Sequence, residues 1–266
     1  MTKLTQAFQE IVETRRSVRI YDQTAEFDPQ VVRHNLELAT LAPNSSNLQL
    51  WEFYRIKTKE AKQKIAKFCL DQPAAKTANE LVVVVARQDH WDERAAWNLK
   101  KVEASFKKEG VDIEKVKATK DAGNVLNNIS KSKVSRLKSV QQYYGKLIPQ
   151  LYQNDALGVF GRIKKLYVDL VMAPKKPAYR EVLKSDIRVI VHKSCALAAQ
   201  TFMLGMTASG YDTCPMEGID SKRIKDYLNL PSAAEVNMVI SCGKRKPEGV
   251  YGKRVRVPKD EVIFEV

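Results

Sequence analysis

The 266 residues include 45 Lys and Arg against 31 Asp and Glu, a formal charge of +14, and 44 % of them are hydrophobic. That composition suits a chain that buries a sizeable core and excludes a disordered or collagen-like polymer. No apolar run approaches the roughly 20 residues of a membrane-spanning helix, and Met1–Gln6 lacks the apolar core of a signal peptide, so a cytoplasmic protein is expected.

Phe8, Ile11 and Val12 share one face of a helix predicted over Gln6–Thr14. A second helix is predicted after Asp28-Pro29, an N-cap followed by a first-turn proline. Its apolar residues are Val31, Val32, Leu36, Leu38 and Ala39, and the polar turn 42–47 ends it. Trp51–Ile56 has the aromatic and β-branched composition of a strand. A helix is predicted from Lys59 to about Cys69, and then Leu81–Ala86 is an unbroken apolar run of strand length, which asks for cover on both faces.

From about residue 91 to 184 the chain becomes Lys-rich and helix-prone, with Gly123, Gly145, Gly158 and Gly161 as breaks and 173–177 as a surface loop. Between Leu99 and Lys184 stand 19 basic and 8 acidic residues, which leaves 26 and 23 for the remainder. The basicity therefore belongs to one segment, read as a mostly helical insertion in a single domain of residues 1–266. Such a surface attracts nucleic acid, anionic lipid or anionic small molecules, and charge alone does not choose between them. No nucleic-acid motif is present.

A long apolar helix is predicted from about Ile187 to Ser209, with Gly210 placed to end it. The turn 214–220, a helix through Ile224, Tyr227 and Leu228, a strand Val236–Ser241 and a terminal strand Glu261–Val266 complete the chain. Few strands separated by helices in this order indicate an α+β layered fold. The four cysteines form no C-x-x-C pair and read as free buried thiols, and the three scattered histidines offer no metal site.

Four segments carry chemistry. In Arg15-Arg16-Ser17-Val18-Arg19 an extended backbone lets Arg15, Ser17 and Arg19 converge on one anion, and arginine's planar fork suits a phosphate monoester; a solvated basic linker serves as well for this run alone. Pro43, Asn44, Ser45, Asn47 and Gln49 gather amides and hydroxyls able to pair with a heteroaromatic edge, just before Trp51. Pro215-Met216-Glu217-Gly218 ends in a glycine that lets backbone approach a flat ligand. Lys253–Pro258 alternates basic and apolar residues, including Arg254 and Arg256. Taken singly, the second and third segments read more readily as an ordinary turn and a plain loop, and the fourth as a charged edge strand.

In this order the four segments resemble the nitroreductase flavoprotein family, over roughly Phe8–Ala86 and Ile187–Val266. The resemblance implies a central, mostly antiparallel sheet flanked by helices, and a homodimer with FMN at the subunit interface. It implies Arg15, Arg16, Ser17 and Arg19 on the FMN phosphate and ribityl chain, with Arg254 and Arg256 as a second phosphate clamp. Asn47 would hydrogen-bond the isoalloxazine ring or the ribityl chain, and Pro215–Gly218 would present backbone amides to flavin N5. Asn44 stands where the family has serine, and Leu50 where it has proline. Hydride would pass from NADH or NADPH to the flavin and on to a small-molecule acceptor, with no indispensable side-chain nucleophile. The insertion would cover the flavin, with Tyr143, Tyr144 and Phe160 as pocket aromatics.

Overall fold

The computed structural model describes residues 2–118, 131–155 and 157–266; the predicted break at Gly123 lies outside them. The chain opens with helix α1 (Lys3–Thr14) and helix α2 (Pro29–Ala39), the latter started as expected by the Asp28 carboxylate accepting from Gln30 N–H. Strand β1 (Trp51–Ile56) leads through helices α3 (Lys59–Phe68) and α4 (Pro73–Thr77) to strand β2 (Glu80–Ala86). Helix α5 (Trp91–Lys108) opens the basic segment, followed by α6 (Ile113–Ala118), α7 (Lys131–Gln142), α8 (Ile148–Tyr152) and α9 (Val159–Tyr167). Helix α10 (Lys184–Ala208), strand β3 (Asp212–Met216), helix α11 (Ser221–Tyr227) and strand β4 (Glu235–Gly243) follow.

The four strands form an antiparallel sheet in the order β1-β2-β4-β3. β2 explains how the sheet is covered. Val82, Val84 and Ala86 pack toward α2 and α10, while Leu81, Val83 and Val85 pack into a second core with residues of α3, α4 and α11. An apolar strand without polar alternation is what two covered faces require. The basic segment carries a small core of its own around Phe106, Val116, Val134 and Leu137.

Three expectations need correction. Residues 214–216, read as part of a turn, lie in β3. It is an edge strand, where Pro215 is tolerated because the donor it lacks is not needed inside the sheet. The terminal strand is absent: Lys259–Glu261 is a 3₁₀ turn, and Val262–Val266 is exposed and irregular because, among the described residues, no strand lies beside it to pair its backbone. Third, one described helix, α10, is long and apolar enough to cross a membrane. Nine of its 25 side chains are buried in the molecule, among them Cys195, Ala198, Phe202 and Met206, and Gly210 ends it at φ +78° as predicted. All four cysteines are free and buried.

Two ion-pair sites in the sheet lead to measurable expectations. Glu80 is 2 % exposed in β2 and its carboxylate accepts from Arg55 Nε at 2.6 Å and Nη2 at 2.9 Å. Arg55→Ala leaves that charge buried and unpaired, which should cost about 3 kcal/mol. In a chain of this size the melting midpoint then falls by roughly 6–10 °C, and an unchanged melt would contradict the assignment. At the other end of β2, Arg87 holds Glu52 at 2.5 Å and Asp89 at 2.9 Å. Burial pushes both carboxyls up, but the hydrogen bonds and charge of Arg87 outweigh it and hold both below the usual range. With folded values depressed, this stabilisation is complete above the ordinary carboxylate pKa of about 4 and is lost as pH falls through the folded values. Thermal melts should show that acid loss in the wild type, and Arg87→Met should flatten it; an identical acid limb in the variant refutes the link.

Candidate functional site

After α1 the backbone extends and runs beside the outer edge of β3. Ser17 bridges Thr213 in parallel, with Val18 N–H donating to Thr213 O at 3.2 Å and Arg19 N–H to Gly249 O at 2.6 Å. Val18 is fully buried, so alternation turns Ser17 and Arg19 to the opposite side. Gly249 is where a later segment comes against this one. A β-carbon there would lie 2.3 Å from the Ile20 carbonyl oxygen, so only glycine allows the approach.

Beyond Gly249 the chain folds back and closes a cavity of about 250 Å³ lined by Arg15, Arg16, Ser17, Arg19, Arg254 and Arg256, with Lys253, Val250, Tyr251 and Val255. No carboxylate is among the described lining residues. Burial lowers the pKa of Arg15, and the nearby charges of Arg254, Arg256 and Arg16 lower it further. Several guanidiniums facing one another without a counter-ion make a site of strong positive potential. A phosphate monoester, doubly charged and presenting oxygens to planar forks, is the kind of group that relieves it. The donor set therefore fits the phosphate end of FMN.

The arginines do different work. Arg254 Nη2 donates to the carbonyls of Glu13 at 2.8 Å and Arg15 at 2.5 Å, and Arg245 Nη2 donates to Thr14 O at 3.3 Å, so both close the carbonyl end of α1. Arg16 Nη2 donates to Gly252 O at 3.0 Å and pins the returning segment. Among the described residues the Arg15 and Arg19 guanidiniums have no hydrogen-bonding partner in the protein. Arg254, expected in the second clamp, thus caps a helix and also lines the cavity, and Arg256 Nη1 donates to the adjacent Val255 carbonyl at 2.6 Å. Cys214, behind Arg15 and Arg19, is fully buried, and burial pushes its thiol up despite the opposing effect of both arginines. That is the opposite of an activated nucleophile.

Pro215-Met216-Glu217-Gly218 leaves β3 two residues beyond Thr213, the residue that Ser17 bridges. Glu217 and Gly218 are exposed, and Gly218 O accepts from Gln72 Nε2 at 2.9 Å. Three of the four predicted segments therefore meet at one corner of the sheet.

The fourth does not. Residues 45–47 form a 3₁₀ turn in which Ser46 and Asn47, and then Gln49, take left-handed φ of 55°, 51° and 51°. Asn44 holds this shape, its Oδ1 accepting from Gln49 N–H at 2.8 Å and its Nδ2 donating to Ala42 O at 3.2 Å. Asn44 is accordingly half-buried, with both ends of its amide bonded to the turn's own backbone, while Pro43, Ser45 and Asn47 are exposed. Tyr143 hydroxyl pairs with Ser46 Oγ at 2.8 Å, and Tyr144 hydroxyl donates to Ser46 O at 3.0 Å. Asn98, buried in α5, donates to Asn47 O at 2.7 Å. The basic segment thus braces the turn. Phe160 is placed elsewhere, on α9, with the Lys164 ammonium 5.0 Å over its ring. The contacts of Asn98, on α5, and Gln72, just before α4, were not legible, since one polar side chain outside any motif carries no local signal.

Sheet geometry gives the separation. The turn precedes Trp51, whose ladder runs through Ala86 to Glu235, whereas Thr213 pairs with Cys242. Seven residues along β4 and three strand spacings across the sheet put these corners roughly 25–30 Å apart. The turn contacts α10 near its middle, Ser45 N–H donating to Ser194 Oγ at 3.3 Å, while the arginine cavity lies beyond the end of α10.

A model described as the nitroreductase family matches residues 12–244. Protein DrgA of Synechocystis sp. is 25 % identical over 242 residues, covering 90 % of this chain and 84 % of its own length. The CLA biosynthesis enone reductase of Lactiplantibacillus plantarum is 23 % identical over 92 % of this chain and 88 % of its own length. Among solved structures, a "putative nitroreductase in complex with FMN" from Exiguobacterium sibiricum 255-15 superposes with a TM-score of 0.62 at 21 % identity, over 97 % of each chain.

Proposed function

The chain belongs to the nitroreductase family, and on that premise we propose that it is an FMN-dependent NAD(P)H oxidoreductase acting as a homodimer. Bound FMN would accept hydride from NADH or NADPH and pass it to a nitroaromatic, quinone or similar small acceptor. The observation that supports this most directly is the carboxylate-free arginine cavity over Arg15–Arg19, adjoining Pro215–Gly218.

In this reading Arg15, Arg19 and the Ser17 hydroxyl hold the phosphate, and Arg16 and Arg254 keep the two walls of the cavity together. Glu217 and Gly218 offer exposed backbone to the ring. Asn47, Ser45 and Gln49 supply the amides and hydroxyl that orient the ring edge, on a turn whose shape Asn44 and Asn98 fix. Tyr143 and Tyr144 stand beside that turn as walls of the acceptor pocket. No side chain of the site need act as a nucleophile, in keeping with the buried thiol of Cys214.

Corners roughly 25–30 Å apart across the sheet are too distant for one FMN to touch both within a single chain. A two-fold dimer brings the turn of one copy to the arginine cavity of the other. Exposed apolar side chains on α1 (Leu4, Phe8), on α10 (Leu197) and in the tail (Ile263, Phe264) supply surface for that contact. The chain is then one nitroreductase-like domain, with residues 91–184 as an insertion over the site.

The purified protein should be yellow, release FMN on denaturation and bleach anaerobically with NADH or NADPH. A colourless protein that takes up no added FMN would sink the proposal.

A further inference from the structure

Helix α9 and the π-helical turn that continues it (Val168–Met172) attach to the molecule through few residues: only Gly161 and Val168 are buried along their length. The attachment is nonetheless firm. Asp155 accepts the N–H groups of Val159 at 3.1 Å and Phe160 at 2.7 Å. The Lys164 ammonium donates to the carbonyls of Gln150, Leu151 and Gln153 at 3.0–3.1 Å, closing the end of α8. The helix is therefore held in one orientation with a continuous apolar face outward. Phe160, Ile163, Leu166, Tyr167, Leu170 and Val171 are each 40–67 % exposed, at the three- and four-residue spacings of a single stripe.

Charge selects what this stripe meets. Residues 157–180 contain six cations and one acid, Asp169, and that acid is bonded by Lys165 at 2.9 Å and Arg180 at 2.7 Å. Arg162, Lys175 and Lys176 are exposed around the stripe. A second copy would bring an identical basic surface against this one, and like charges oppose such pairing. An anionic bilayer offers acyl chains to the stripe and phosphates to its flanks. At 14 residues and about 20 Å the helix is too short to span the hydrocarbon, so it would lie in the interface.

We propose that residues 159–172 form a peripheral docking face for anionic lipid bilayers. The test is flotation of the full-length, FMN-loaded protein with vesicles of phosphatidylcholine alone and of phosphatidylcholine with phosphatidylglycerol, 7:3. Binding is expected to the second and not the first, weakening with salt. Leu166→Glu/Leu170→Glu should abolish it with the flavin-to-protein ratio unchanged. Replacing Arg162, Lys175 and Lys176 by Gln should weaken it by about a hundredfold, near fivefold per cation. Wild-type protein that stays unbound with the anionic vesicles, or a double-Glu variant that floats as well as wild type, overturns the proposal. A lipid-free change of the double-Glu variant to a smaller sedimenting species would assign the face to subunit contact instead, and would overturn it equally.

Discussion

Arg15→Ala and Arg19→Ala each weaken FMN binding by about 10- to 100-fold, the equivalent of one charge-assisted contact of roughly 1.5–3 kcal/mol. The pair act on one phosphate, so the double variant need not show the product of the two. The apo protein should be unaffected or slightly stabilised. Neither guanidinium has a hydrogen-bonding partner in the described structure, and Arg15 is held near other cations that lower its pKa. Arg254→Ala separates the two roles of the cluster. Its donors close the carbonyl end of α1 at Glu13 and Arg15, so it should lower the apo melting temperature as well as flavin affinity. Fluorescence titration of apo protein with FMN, set beside thermal melts, checks both. Wild-type dissociation constants in Arg15→Ala and Arg19→Ala would remove the phosphate from this cavity.

Much of the fold was legible because its signals are local. β2 is apolar at every position from Leu81 to Ala86, and the structure covers both faces with separate cores. Asp28-Pro29 begins α2 and Gly210 ends α10 where cap chemistry places them. Failures came where the deciding partner is remote. A proline at 215 reads as a turn until an edge position makes its missing donor harmless. Glu261–Val266 reads as a strand, but a strand needs a neighbour, and the described residues provide none there. The arginine run was legible as a convergence of cations, and the structure places it along one cavity. The role of Arg254 was not, because it depends on the carbonyls of Val12, Glu13 and Arg15 some 240 positions away in the chain. Spacing along the chain likewise carries no distance, so four segments that suggest one site fall into two groups at opposite corners of the sheet.

That division yields the other large effect. If each flavin is held by the arginine cavity of one copy and the 43–49 turn of its partner, two defective chains should complement one another. Arg15→Ala/Arg19→Ala lacks the cavity, Asn47→Ala/Gln49→Ala lacks the amide edge, and each homodimer should retain little FMN. In a mixed dimer one site combines both defects, while the other combines an intact cavity with an intact turn. Random assembly of equal amounts makes half the dimers mixed, so about a quarter of all sites should recover flavin and NAD(P)H-dependent bleaching. A site built within one chain predicts no recovery, because every chain then carries a defect in its own site. Refolding the two variants together and measuring flavin per chain distinguishes the cases. Failure to exceed the mean of the separate homodimers would place the turn and the cavity in one subunit's site, which a separation of roughly 25–30 Å across the sheet opposes.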